Sequence, residues 1–149
     1  MKKWYSMIMV LSLALLFGFG VVRWQAQSTE SGAMLANQSQ VIVSISPVDG
    51  VAMIEKNKDN PDFMILDVRT PKEYTAGHLS GAINLDYYSN NFRTDLEQLD
   101  KSKTYLIYCR TGRRSGVTLN MMRELGFSGV YDIAGGITAW IAKGLPYLN

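Results

Sequence analysis

The chain has 149 residues with a formal charge of +2, one cysteine and one histidine. That length suits one domain once an unusual N-terminal stretch is set aside. A single cysteine excludes an internal disulfide and a CxxC redox pair. Without residues 1–25, which carry Lys2, Lys3 and Arg23, twelve basic side chains face thirteen acidic ones. The basic balance therefore belongs to the terminus, and a nucleic-acid partner is not expected.

Lys2 and Lys3 precede nineteen uncharged residues, Trp4 to Val22. Such a run reads as a signal peptide or a single spanning helix. Trp4 and Tyr5 at one end and Trp24 at the other resemble an aromatic belt. The preferred expectation for residues 1–26 is an uncleaved membrane anchor through residues 4–24, with a secreted, cleaved form as the alternative. Either would place the domain outside the cytoplasm, in a periplasmic setting, tethered in the first case. Residues 27–40 are rich in Ser, Gln, Asn and Ala and read as a linker. The domain is expected over residues 41–149.

Val41 to Ile45 reads as a strand. Ser46-Pro47 then supplies a cap and an N1 proline for a short amphipathic helix. Asn60-Pro-Asp62 is a turn. Phe63 to Asp67 has the apolar character of an interior parallel strand, with Asp67 and Arg69 at its carboxyl end, where such sheets place ligands. Thr70-Pro-Lys-Glu73 is a capping box opening another short helix, which Gly77 ends. Asp67, Arg69 and His78 are expected to brace loops. His78, as the sole histidine, is also the natural candidate for a general base. A short strand up to Asn84, a polar loop over residues 86–91 and a helix face of Phe92, Leu96 and Leu99 follow.

Thr104 to Tyr108 is β-branched, aromatic or aliphatic and reads as a buried strand. It runs into Cys109-Arg-Thr-Gly-Arg-Arg114-Ser115, after which a helix is expected from Ser115 to Leu125. Six residues, Cys109 to Arg114, must turn the chain, with Gly112 free to take a positive φ. A tight turn ahead of a helix points backbone N–H groups inward and forms an anion nest. Nearby arginines and a helix N-terminus are expected to lower the Cys109 pKa. No histidine adjoins the cysteine, so activation should be electrostatic. Val130 to Ile133 reads as the last strand. Gly135-Gly136 turns the chain into a helix over residues 137–143 carrying Trp140. Strands alternating with short helices give an α/β class with a mostly parallel central sheet flanked by short helices.

These residues together resemble a single rhodanese domain, the fold of thiosulfate sulfurtransferases and related sulfur carriers. The resemblance rests on Asp67-Val-Arg69, Glu73-Tyr74, Gly77 to Asn84, Cys109 to Ser115, Gly126-Phe127 with Val130-Tyr131, and Gly135 to Trp140. With the N-terminal segment, the chain looks like the small exported bacterial members. The resemblance implies a double displacement. Cys109 attacks the outer sulfur of a donor such as thiosulfate, and the resulting persulfide passes sulfur to cyanide, a thiol or a protein acceptor. Arg110 matches a basic position of thiosulfate-using members, and Arg113 or Arg114 would hold the donor's oxygens. Thr111 and Ser115 would hydrogen-bond to the bound group, with the backbone through Gly112 stabilising the persulfide. No cofactor and no metal are implied. Related phosphatases carry a loop one residue longer, whereas Arg114 here comes one position too early for them. The alternative to an enzyme is a non-catalytic sulfur carrier or partner-binding module.

Overall fold

The computed structural model describes residues 40–148. Five strands and five helices alternate along the described residues. They are β1 (Val41–Ile45), α1 (Pro47–Lys56), β2 (Phe63–Asp67), α2 (Pro71–Thr75), β3 (Ala82–Asn84), α3 (Phe92–Glu97), β4 (Thr104–Tyr108), α4 (Arg113–Glu124), β5 (Gly129–Ile133) and α5 (Gly136–Ala142). The strands form one sheet in the order β1-β5-β4-β2-β3. Every pairing is parallel. Parallel sheets bury both faces, which is why β4, at the centre, holds four consecutive buried residues, Tyr105 to Tyr108.

Alternation along the strands splits the core in two. Leu66, Tyr105, Ile107 and Val130 meet Leu119 and Met122 of α4 and Phe92 and Leu96 of α3 on one face. Ile65, Leu106, Tyr108 and Ile133 meet Ile137 and Trp140 of α5 on the other, with α1 packed beside them. The caps read from the sequence are in place. Ser46 accepts from the Asp49 amide. Thr70 and Glu73 complete a reciprocal capping box.

Three elements start earlier than the sequence reading places them. Helix α4 begins at Arg113 rather than Ser115, because Gly112, at φ +91°, already completes the turn. Arg113 and Arg114 are thus first-turn helical residues. Strand β5 starts one residue early, at Gly129, and α5 starts at Gly136.

The membrane expectation is corrected. No helix among the described residues is long and apolar enough to cross a membrane. Residues 4–24, on which the anchor and signal readings fell, lie outside the described residues, as does the linker up to residue 39. Membrane tethering is withdrawn.

Candidate active site

The site grows from the carboxyl end of β4. Cys109 follows that strand directly and is buried. The chain then bends through exposed Arg110 and Thr111 to Gly112 and enters α4. This bend brings donors onto sulfur. The Gly112 N–H donates to Cys109 Sγ at 3.2 Å, and Ser115 Oγ lies 3.5 Å from it. Burial alone would push the thiol up. It is outweighed by the Ser115 hydroxyl and by the amides of Ser115, Thr111 and Gly112, so the pKa of Cys109 is held below its ordinary value. The expected activation is therefore present, and of the two expected causes it is the donors at the loop and helix start that act, with no arginine among the causes. Arg114, whose guanidinium is raised chiefly by Glu73, also feels the charge on Cys109 at longer range.

The loop is fixed from behind by α5. The Ile137 and Thr138 amides donate to the carbonyls of Cys109 and Arg110 at 2.9 and 3.0 Å. These are first-turn amides that the helix itself leaves unpaired. Such an approach requires Gly136, which sits at φ +59°. A Cβ there would overlap the Cys109 carbonyl oxygen and lie 2.8 Å from the Arg110 carbonyl carbon and oxygen. Gly136→Ala is expected to cost about 3 kcal/mol in urea unfolding, the combined effect of a left-handed backbone and displaced main chain. A loss under about 0.5 kcal/mol, the level of an ordinary surface change, would contradict this packing.

The three loop arginines divide. Arg110 and Arg113 are exposed. Arg114 is buried and its fork is filled by Glu73, with contacts of 2.8 and 2.7 Å to the two carboxylate oxygens. Its guanidinium also lies over the Tyr88 ring, 5.5 Å from the centroid. Of the pair expected to hold donor oxygens, Arg113 is exposed and has no ion pair among the described residues. Arg114 supplies charge but has no open fork. Glu73 thereby serves two structures, capping α2 through Thr70 and anchoring α4 through Arg114. An open depression of 320 Å³ above the loop is lined by Thr70, Glu73, Tyr88, Arg110, Thr111, Arg113 and Arg114. A separate apolar cavity of 180 Å³ between Ile54, Leu79, Trp140 and Pro146 holds none of the loop residues and offers an anion no cation.

The Arg114 hydrogen bonds, followed by those from Thr70, hold the Glu73 carboxyl down at about 2. A carboxylate depressed on folding stabilises above its ordinary range and loses that stabilisation as pH falls toward about 2. Glu73→Gln is therefore expected to lower stability by about 2 kcal/mol at pH 7, the scale of a charge-assisted bidentate bond. The gap should close as acid protonates Glu73. Urea midpoints at neutral and acid pH measure it, and a gap independent of pH would contradict the pairing.

Asp67 and Arg69 brace the neighbouring strand end. Asp67 is fully buried and accepts from Arg69 Nε at 2.9 Å and from a terminal guanidinium nitrogen at 2.6 Å. Arg69 also reaches the Gly77 carbonyl at 2.6 Å. Asn84 donates to the carbonyls of Asp67 and Arg69, tying β3 to the same corner. His78 takes part in a different structure. Its Nδ1 meets the Tyr74 carbonyl at 3.0 Å, its ring stacks on Tyr74, and its backbone pairs with Leu148. None of these contacts involves Cys109. Burial, then the Asp67 charge, raises the Tyr108 phenol far above its ordinary value, so Tyr108 stays protonated beside the loop.

A depressed cysteine at the carboxyl end of the central strand, nested in amides and rimmed by arginines, agrees with the likeness to known proteins. The family model for the rhodanese-like domain matches residues 51–143. The chain belongs to the rhodanese-like family. Its homology to known sulfurtransferases supports catalytic activity. A sulfurtransferase of Allochromatium vinosum is 29% identical over 102 residues, which cover 68% of this chain and 94% of that protein. Thiosulfate sulfurtransferase 16 of Arabidopsis thaliana is 38% identical over 91 residues, 54% of this chain and 76% of that protein. Among solved structures, a rhodanese-related protein of Thermoplasma volcanium aligns with a TM-score of 0.59 at 30% identity, covering 70% of this chain and 96% of that one.

Sequence reasoning missed two features of this rhodanese site. The Glu73–Arg114 pair spans 41 positions, and only the fold joins it. Asp132 lies in the last strand as the sequence reads it, but the burial of its carboxyl on the α4 side of the sheet is not legible there. Its one signal was an acidic residue inside an otherwise apolar run.

Proposed function

We propose that Cys109 carries sulfane sulfur as a persulfide, taken from thiosulfate or a similar anionic donor and given to a thiophilic acceptor. The observation that carries this reading is the thiol held below its ordinary pKa by Ser115 and loop amides at the base of an arginine-rimmed depression. The thiolate attacks the donor's outer sulfur, a new S–S bond forms, and the donor's own sulfur bond breaks to release sulfite. The acceptor then attacks the terminal sulfur and Cys109 leaves as thiolate. Arg110 and Arg113 hold the donor's oxygens, and Thr111 hydrogen-bonds to the bound group. Amides from Arg110 to Ser115, with the Ser115 hydroxyl, stabilise the anionic persulfide. Asp67 and Arg69 support the loop without touching the reacting sulfur.

A second reading is favoured by the exposure of Arg110, Thr111 and Arg113. The persulfide lies below an open, cationic rim that a protein could cover. On this reading the domain is a sulfur carrier that docks to a partner and hands its sulfur to a protein thiol. Kinetics separate the two. The wild-type chain is loaded with thiosulfate, then offered cyanide or a small thiol, and sulfite release is followed. Continuous turnover supports small-molecule transfer. One equivalent of sulfite followed by arrest supports the carrier. No sulfite release would contradict both.

A further inference from the structure

Two open depressions border the Cys109 loop, and sulfur loading as described uses only one. That one holds Thr111, Arg113 and Tyr88. A second, of 280 Å³, opens beside Arg110 between the end of α2 and α5. Arg110 and Glu73 line both and so stand where the two meet. The remaining walls differ in character. Ala76, Ile137, Ile141 and Tyr147 give the second depression an apolar side. Ile137 and Ile141 are four positions apart on α5, share one helix face and are about 6 Å apart along its axis. Ile141 is 43% exposed, although it is a large apolar side chain. The start of this strip is pinned to the sulfur-bearing loop, because the Ile137 amide donates to the Cys109 carbonyl and the Thr138 amide to the Arg110 carbonyl. The strip then runs away from the loop toward Ile141. Its charge is one-sided. Arg69 is engaged by Asp67 and the Gly77 carbonyl, and Glu73 by Arg114. Arg110 is exposed and makes no ion pair among the described residues.

Resting on the persulfide reading, we propose that this second depression is the acceptor subsite, suited to an organic thiol with a carboxylate close to its sulfur and an apolar tail. The carboxylate pairs with Arg110, and the tail lies along Ile137 and Ile141. The thiol enters as its thiolate and leaves its proton to solvent. Its sulfur attacks the terminal sulfur of the Cys109 persulfide. One S–S bond forms, the S–S bond to Cys109 breaks, and Cys109 leaves as thiolate. The product is the acceptor's own persulfide, so no outside oxidant or reductant is needed. Donor and acceptor thus meet different walls, and Arg110 serves each in turn. A double displacement permits this, because the donor's remnant departs before the acceptor arrives.

Double-displacement kinetics give each substrate its own kcat/KM, so the two depressions are scored separately. The full chain is charged with thiosulfate and offered mercaptoacetate, α-mercaptohexanoate, mercaptoethanol or cyanide, with sulfite release as the readout. In the wild type, kcat/KM for α-mercaptohexanoate should exceed that for mercaptoacetate about tenfold, because an open groove takes part of the tail out of water. Ile141→Ser should cut that preference to about threefold or less. Arg110→Gln should lower the ratio of mercaptoacetate to mercaptoethanol about threefold, the scale of one exposed ion pair. Arg113→Ala should lower kcat/KM for thiosulfate and move the tail preference by less than about twofold. Each comparison is a ratio within one variant, so a partly unfolded preparation cannot mimic it. A wild-type tail preference below about threefold, or one that Ile141→Ser does not reduce, would overturn the proposal. So would an unchanged Arg110→Gln ratio, or an Ile141→Ser variant whose thiosulfate kcat/KM falls as far as that of the tailed thiol, which would mean a single shared site. Cyanide is too small to use the groove and checks the persulfide itself. Sulfite release with cyanide but no tail preference defeats the acceptor subsite alone. No sulfite release with cyanide or any thiol defeats the persulfide reading, and the subsite with it.

Discussion

Cys109→Ser is expected to reduce thiosulfate:cyanide sulfur transfer by about a thousandfold or more, the scale of losing a covalent nucleophile. A serine at this position keeps the size and the hydrogen bonds from Gly112 and Ser115. It cannot hold a sulfane sulfur at neutral pH, because its hydroxyl is far less acidic than a thiol. The fold should be unaffected, since Cys109 contributes only one small side chain to a core that also holds Leu66, Tyr105, Ile107 and Phe127. The signature is thus a loss of transfer at unchanged urea midpoint. Steady-state sulfite or thiocyanate production measures it, and retention of even a tenth of wild-type transfer would mean that another group carries the sulfur.

Asp67→Asn is expected to destabilise the domain by about 3–5 kcal/mol, because it leaves a buried guanidinium without its counter-charge. Asp67 is fully buried, and the Arg69 side chain is only 7% exposed. Asn offers one uncharged acceptor oxygen where Asp67 uses two charged ones to receive the Arg69 amide, its Nε and a terminal nitrogen. Loss of the pair also frees Arg69 from the Gly77 carbonyl and loosens the corner where β2, β3 and the turn after α2 meet. Replacing both partners, as Asp67→Asn with Arg69→Met, should recover part of the loss, since the buried unpaired charge is then gone. Urea unfolding of the two variants decides the matter. A single variant within about 1 kcal/mol of wild type, the range of an exposed ion pair, would show that the pair is not desolvated.

What was legible in the sequence was what short stretches determine. The Thr70-to-Glu73 box, the Ser46-Pro47 cap and the apolar run of β4 each depend on neighbours a few positions away, and each is in the fold as read. The Cys109 loop was legible for the same reason, down to the positive φ of Gly112. Misreadings fell where distant segments meet. Arg114 looks like a substrate clamp until Glu73, on another helix, fills its fork. Arginines and the helix N-terminus looked like joint causes of the depressed thiol, but only the donors at the loop and helix start close around sulfur. The need for glycine at 136 is invisible until α5 docks against the loop carbonyls. The N-terminal segment invited a membrane reading from composition alone, and no helix among the described residues is long and apolar enough to cross a membrane.

Intact-mass analysis of the chain after exposure to thiosulfate tests sulfur carriage most directly. The wild type should gain the mass of one sulfur atom, the adduct should map to Cys109, and cyanide should remove it. Cys109→Ser should gain nothing. An unchanged wild-type mass under conditions where Cys109 is reduced and reactive, or an equal gain by the serine variant, would contradict a Cys109 persulfide.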